Sequence, residues 1–281
     1  MVREFDRQND EREHVFKFHQ KLGAFHSFKK HPETLRNYDA CSVDIIIPYH
    51  GRYDLVRRAL KSVLEFTKSN PYLVTLVDDG SPVRPATRFI DIIKQAPQTN
   101  CMRLEEPRGF GAAINAGLAA TEQPFVCIMH SDCQVRTLNW LEAMGESLVK
   151  GKKSNIRLIV PRTDNPGDDE IPELKALHTE YTDDVVATAS LPFYCFLCHR
   201  DLFKRIGPIK EYPYTWFENE EFHYRMKAHG YKQAICGRSW IHHDGSATVK
   251  QLWRQHPTAE ETMLENRDRC INDIKNIRVF R

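Results

Sequence analysis

Four short apolar runs, separated by segments with helical periodicity, constrain the fold of this chain more than any other feature. The runs are Val43–Pro48, Leu73–Val77, Cys101–Leu104 and Phe125–Met129. Each is long enough for a strand but too short for a helix, and near-continuous apolar runs are typical of strands buried on both faces. Strands that alternate with helices predict an α/β fold with a mostly parallel central sheet.

Polar residues collect where these runs end. Tyr49–Arg52 follows the first run, Asp78 and Asp79 end the second, Arg108 and Gly109 follow the third, and His130–Asp132 follows the fourth. Ligands of open α/β sheets bind outside the carboxyl ends of the strands, so all four groups should face one crevice. Paired acids, an arginine and a further aspartate suit a nucleotide diphosphate bound through a metal. Taken alone, His130–Asp132 is more typical of a turn than of a metal site.

Two later segments carry further candidate groups. Glu218, Glu220 and Glu221 crowd the first turn of a predicted helix that ends at Gly230. Acids stabilise a helix N-terminus, but behind aromatic residues they also suit a general base and an acceptor clamp. His242 and His243 follow a predicted short strand, and either can offer a nitrogen to a metal if a carboxylate such as Asp132 lies nearby.

Length and composition set the remaining limits. The chain of 281 residues has a net charge of +2, which is too small to argue for nucleic acid or an anionic membrane. It has neither a secretory signal at its start nor an apolar run of membrane-spanning length, so we expect a cytoplasmic protein. We predict a helical N-terminal extension at 1–40, a catalytic domain at 41–249 and a helical C-terminal extension at 250–281. The terminal helices are candidates for an oligomer contact.

Six segments together resemble the inverting family 2 of the glycosyltransferases with the GT-A fold, over about three quarters of the chain. Each is a weak signal alone, but all six occur in the family's order: Asp44–His50, Val77–Ser81, Arg108–Leu118, His130–Asp132, Trp216–Arg225 and His242–Thr248. In that resemblance they correspond to the opening strand, the uridine-binding acids, a glycine-bearing helix start, the metal-binding Asp-x-Asp, the segment with the catalytic base, and a late histidine motif.

The resemblance implies a metal-dependent inverting glycosyltransferase with a GT-A, Rossmann-like sheet. The donor is a nucleotide-diphosphate sugar, with UDP favoured, and the acceptor is a hydroxyl group of a glycan or another molecule. The implied metal is Mn²⁺ or Mg²⁺, bound by Asp132 with His243 or His242. Trp216 and Asn219 are assigned to the acceptor. The residues assigned to the nucleotide sugar are Pro48, Tyr49, His50, Arg52, Asp78, Asp79, Arg108, Gly109, Asn115, His130 and Ser131.

Two departures from the family pattern matter for the chemistry. His130 replaces the first acid of Asp-x-Asp, which leaves Asp132 as the direct metal ligand. Asn219 occupies the usual position of the base, and because an amide does not take up a proton at neutral pH, the base must be Glu218, Glu220 or Glu221. Two alternatives remain open: the same chemistry on a modified nucleic-acid base or another polymer, and a nucleotide-sugar-binding protein without catalysis.

Overall fold

A computed structural model describes residues 42–68, 71–82, 93–94, 96–166, 183–187, 190–245 and 257–277. The predicted N-terminal extension lies outside these residues. So do most of the polar loop at 164–173 and the first part of the predicted C-terminal extension.

Strands and helices alternate over most of the described chain. The strands are β1 (Val43–Tyr49), β2 (Tyr72–Asp78), β3 (Thr99–Arg103), β4 (Phe125–Met129), β5 (Cys133–Val135), β6 (Ile156–Thr163), β7 (Val185–Ala187), β8 (Cys195–His199) and β9 (Lys232–His243). The helices are α1 (Tyr53–Phe66), α2 (Phe110–Ala119), α3 (Trp140–Gly151), α4 (Asp201–Ile206), α5 (Glu218–Ala228) and α6 (Ala259–Lys275), and Lys152–Ser154 forms a 3₁₀ turn.

The described strands form one mixed sheet in the order β3-β2-β1-β4-β8-β6-β9-β5, with β7 also paired to β9. The first half is parallel, as the sequence predicts: β1 pairs in parallel with β2 and β4, and β2 with β3. The second half differs, because β8 runs antiparallel to both β4 and β6. The α/β class is therefore confirmed, while the sheet is mixed rather than mostly parallel.

Burial of the strands on both faces explains why their sequences read as continuous apolar runs. All seven residues of β1 are buried, including Asp44. The Asp44 carboxylate accepts a hydrogen bond from Arg200 Nη2 at 2.7 Å, and Arg200 also donates to the carbonyl oxygens of Gln123 and Leu118. This ion pair connects the start of β1 to the end of β8. The positive charge of Arg200 compensates the buried negative charge of Asp44.

Helix α6 packs against the segment that precedes α5. The Tyr212 hydroxyl donates to the Asp273 carboxylate at 3.0 Å, and the Asn266 side chain donates to the carbonyl oxygens of Pro213 and Thr215. Part of the predicted C-terminal extension is thus helical and lies on the core. In the residues described here, no helix has both the length and the apolar character needed to cross a membrane.

Candidate active site

A cavity of about 900 Å³ opens at the carboxyl ends of β1, β2 and β4. It lies where the parallel half of the sheet meets the mixed half, because its lining includes the end of β1, the residues that follow β4, and part of the chain after β8. The predicted site residues that line it are Pro48, Tyr49, His50, Asp79, Arg108, Gly109, His130, Ser131, Asp132, Trp216, Glu218, Asn219, Glu220 and His243. The structure therefore gathers most of the candidates into one place.

Asp79 forms one end of this cavity. Its two carboxylate oxygens accept hydrogen bonds from the backbone N–H groups of Arg108, at 2.7 Å, and Gly109, at 2.9 Å. Burial raises the pKa of Asp79 despite these two bonds, which act in the opposite direction. His50 Nδ1 lies 2.7 Å from the Asp79 carbonyl oxygen, and since a carbonyl only accepts, Nδ1 carries the proton. The end of β2 and the start of α2 are thereby locked together.

Gly109 is required by the close approach of another segment. Its φ is 95°, and a Cβ atom there would lie 2.7 Å from the Tyr212 carbonyl oxygen and 2.8 Å from that of Tyr214. Phe110 N donates to the Tyr214 carbonyl at 2.9 Å. The glycine therefore lets the wall at 212–217 rest directly on the start of α2.

Three residues assigned to the nucleotide sugar do not line the cavity, because other partners hold them. The Asp78 carboxylate is buried and accepts from Ser81 N and from Arg103 Nη1, at 2.9 and 2.7 Å. Asn115 exchanges hydrogen bonds with the backbone of Ile209. Arg52 pairs with its neighbour Asp54 at 3.0 Å. These side chains support the loops around the cavity rather than its surface.

His130, Asp132 and His243 form a cluster of potential metal ligands, with one donor atom from each lying within 4.8 Å of the others. His243 Nε2 lies 3.5 Å from Asp132 Oδ1, and His130 Nδ1 lies 3.9 Å from the same oxygen. His243 Nδ1 lies 2.8 Å from the carbonyl oxygen of Asn165, so Nδ1 donates and Nε2 faces the carboxylate. Two imidazole nitrogens and one carboxylate oxygen are a donor set that suits a divalent transition metal such as Mn²⁺.

Electrostatics within the cluster favour an ionised Asp132. Burial alone raises the pKa of Asp132, but the hydrogen bond and charge of His243 and the nearby His130 outweigh it and lower the pKa to about 2. Burial lowers the pKa of His130 to about 4, more strongly than Asp132 raises it. The anionic Asp132 and the neutral His130 have the protonation states that a metal ion requires of its ligands. His243 differs, because burial lowers its pKa but the hydrogen bond and charge of Asp132 outweigh burial and raise it, so a metal ion would displace a proton there.

His242 lies outside this cluster, although the sequence offered it equally with His243. Successive residues of a strand point to opposite faces, so only one of the two can meet Asp132. His242 Nδ1 contacts the Asp164 carboxylate, and Nε2 lies 3.2 Å from Asp244 Oδ1. The third member of the cluster is instead His130, which the sequence analysis assigned to the nucleotide sugar.

Of the three candidate glutamates, Glu218 has the position and the surroundings that best suit a general base in the cavity. It is buried in the first turn of α5, and its Oε1 atom accepts no hydrogen bond among the described residues. Burial raises the pKa of Glu218 to about 8, and the nearby Glu220 contributes to the rise. Asn219 and Glu220 also line the cavity, and Asn219 Nδ2 donates to Glu220 Oε1 at 3.0 Å.

Glu221 does not line the cavity, because Arg225 holds its carboxylate one helical turn away. Arg225 Nε donates to Glu221 Oε1 at 2.7 Å and Arg225 Nη2 donates to Oε2 at 2.6 Å. Both side chains are nearly buried, so this is a two-bond ion pair inside the protein. The structure thus reduces the three glutamates considered from the sequence to Glu218 and Glu220.

Several aromatic and proline residues in the cavity wall were not assigned a role from the sequence. They include Phe110, Pro192, Phe193, Tyr194, Pro213, Tyr214 and Phe217. The Pro-Phe-Tyr run at 192–194 and the Tyr-Pro-Tyr run at 212–214 were the available signals, since prolines beside aromatic residues rarely sit inside a strand or helix. Arg269 of α6 also reaches the cavity, which no local pattern in the sequence could indicate.

The mixed α/β sheet, with its cavity at the strand ends, has the GT-A fold. The same fold occurs in a crystal structure of GalNAc-T7 with UDP, GalNAc and Mn²⁺, which matches with a TM-score of 0.57 at 17% sequence identity and covers 74% of this chain and 44% of that one. Residues 44–207 match the glycosyl transferase family 2 profile, and the chain belongs to that family. No curated protein sequence matches the chain.

Proposed function

We propose that this protein transfers a sugar from a nucleotide-diphosphate sugar to an acceptor hydroxyl with the help of a divalent metal. The observation that carries the proposal is the cavity itself, because the His-Asp-His cluster, Asp79 and Glu218 all line one space of about 900 Å³. Such a space is large enough for a nucleotide sugar, since ligand pockets commonly have about 300–1,000 Å³. The family membership supports the same reaction class.

We assign the metal to His130, Asp132 and His243. A divalent cation held there would offset the charge of the diphosphate as it leaves. Asn165 supports the assignment, because its carbonyl fixes His243 with Nε2 facing Asp132. UDP is the favoured nucleotide because Asp79, from the acidic motif that resembles the uridine-binding one, lines the cavity together with Gly109.

We assign the general base to Glu218. A carboxylate at the cavity wall with a pKa of about 8 has the proton affinity that a base needs near neutral pH, because efficiency is greatest when the pKa lies close to the working pH. Glu218 would take the proton of the acceptor hydroxyl while that oxygen attacks the anomeric carbon. A single displacement of this kind inverts the configuration at that carbon, and the neighbouring Trp216 and Asn219 face the acceptor.

The two alternatives are less well supported. A nucleic-acid acceptor would require a basic surface at the cavity. The cavity lining contains Glu211 as well as Arg108 and Arg269, and Arg108 Nη2 forms an ion pair with Glu211 Oε2 at 2.7 Å. A non-catalytic binder would lack a base, whereas Glu218 lies in the cavity wall. Cytoplasmic location and oligomer formation through the terminal helices remain predictions.

A binding experiment with metal and nucleotide tests the proposal. We expect UDP to stabilise the protein against heat only when Mn²⁺ is present, by about 2.7 kcal/mol at 100 times the dissociation constant. Asp132→Ala and Asp132→Asn should both abolish the metal-dependent shift, since each removes the anionic ligand. Asp201→Asn, which alters a half-buried aspartate on α4 outside the cavity, is the matched control. A full shift in both Asp132 variants would contradict the metal assignment.

A further inference from the structure

The turn that precedes α5 has an unusual backbone. Tyr214, Trp216 and Phe217 all have positive φ angles, of 64°, 88° and 74°. Side chains with a Cβ rarely adopt this left-handed conformation, and such residues persist only where neighbouring structure holds them. All three residues line the cavity, and Glu218 follows directly. A change in this turn would therefore move both the aromatic wall and the candidate base.

Helix α6 supplies the main side-chain anchor of this turn. Asn266 is 1% exposed, and its Nδ2 atom donates to the carbonyl oxygens of Pro213, at 2.8 Å, and Thr215, at 3.1 Å. These two carbonyls flank Tyr214, the first left-handed residue. The orientation of the amide is settled by its partners, because two carbonyl oxygens require a donor and Oδ1 could not fill that position.

Two weaker contacts extend the same support. Cys270, one helical turn after Asn266, has its Sγ atom 3.8 Å from the Phe217 carbonyl oxygen. On the opposite side of the turn, the Phe110 N–H donates to the Tyr214 carbonyl. The turn is thus held between α6 and the start of α2.

We propose that Asn266 is a positioning residue for acceptor recognition, and that the turn it holds is a preformed aromatic platform for a pyranose ring. The inference rests on the proposed function, because it takes Trp216 to face the acceptor. The turn and α6 both lie after residue 207, where the match to the family profile ends. The profile therefore does not cover the contacts between them. Aromatic rings in a cavity wall offer an apolar face to the C–H groups of a sugar while its hydroxyls stay hydrated.

The test compares Asn266→Ala and Asn266→Asp with the wild-type protein and with Asn272→Ala, an exposed asparagine of the same helix. The aspartate keeps the side-chain size but cannot donate to the two carbonyls at neutral pH. Lactose, cellobiose and chitobiose serve as pyranoside probes, with binding followed by saturation-transfer NMR in the presence of UDP and Mg²⁺. UDP affinity is measured on the same samples by calorimetry.

We expect at least one disaccharide to bind the wild-type protein and Asn272→Ala equally, and to bind both Asn266 variants at least about tenfold more weakly, with UDP affinity unchanged within about twofold. Three results would overturn the inference: unchanged disaccharide affinity in the Asn266 variants, loss of UDP and disaccharide binding together, or no disaccharide binding to the wild-type protein while UDP binds. A different result would contradict the proposed function: the wild-type protein itself would not bind UDP in the presence of metal.

Discussion

Glu218 makes the stability of the protein depend on pH in a direction opposite to that of most carboxylates. Its pKa is about 8 in the folded protein and 4.5 for a free glutamate, so the folded state holds a proton that the unfolded state has lost between these values. The free energy of unfolding must then fall as pH rises from about 4.5 to 8. The full shift corresponds to about 5 kcal/mol, and water entering the cavity reduces this to about 2–3 kcal/mol.

Glu218→Gln isolates this contribution, because glutamine has the shape of the protonated acid and does not titrate. We expect the variant and the wild-type protein to be equally stable at pH 5, and the variant to be more stable by about 2–3 kcal/mol at pH 9. Urea unfolding at pH 5, 7 and 9 measures the difference, while Glu265→Gln, an exposed glutamate on α6, controls for the loss of a carboxyl group. A difference that does not vary with pH would refute the reasoning, since it would mean that Glu218 is ionised throughout.

Three further outcomes follow from the site. Release of UDP from a UDP-sugar by the wild-type protein should slow about tenfold for each pH unit below 8, because Glu218 must be unprotonated. Glu218→Gln should be slower by about 10²–10⁴-fold at pH 9 and should lose this pH dependence, so that the difference shrinks towards pH 5; a flat profile of the wild-type protein would exclude this base. His243→Ala should weaken Mn²⁺ binding in calorimetry by at least about tenfold, whereas His242→Ala should leave it unchanged, and equal losses would contradict the cluster. Glu221→Gln should destabilise the protein by about 3–5 kcal/mol in urea, because it leaves Arg225 buried without its partner, yet preserve UDP binding.

The parallel half of the sheet could be predicted closely because its strands carry their own signal. The predicted runs at 43–48 and 125–129 correspond to β1 and β4, which are Val43–Tyr49 and Phe125–Met129. The direction of β8 could not be predicted, because a strand buried on both faces has no pattern that distinguishes parallel from antiparallel pairing. The length of β9 was underestimated for another reason: its register shifts between Cys236 and Trp240, and the residues between them are Gly, Arg and Ser.

The site was predicted at the level of segments rather than side chains. The sequence analysis placed His130–Asp132 and His242–His243 together. The choice between the adjacent histidines depends on the register of β9 with β5, which decides whose side chain lies on the same face of the sheet as Asp132. Among the glutamates, the ion pair of Glu221 with Arg225 follows the common i, i+4 spacing, so the signal was present. The support given by Asn266 depends on how α6 packs, which no short motif encodes.

The pairing of β5 with β9 has a consequence for how the metal cluster is made. Cys133 lies opposite His243 in this ladder, and Asp244 N donates to the Asp132 carbonyl at 3.0 Å, so two ligands about 110 residues apart become direct neighbours. The chain must close this long loop before the contact can form, and pairings between distant segments are slow to form. The cluster is therefore absent from a growing chain until β9 has been added, and a metal ion held by all three residues would stabilise only molecules in which β5 and β9 are paired.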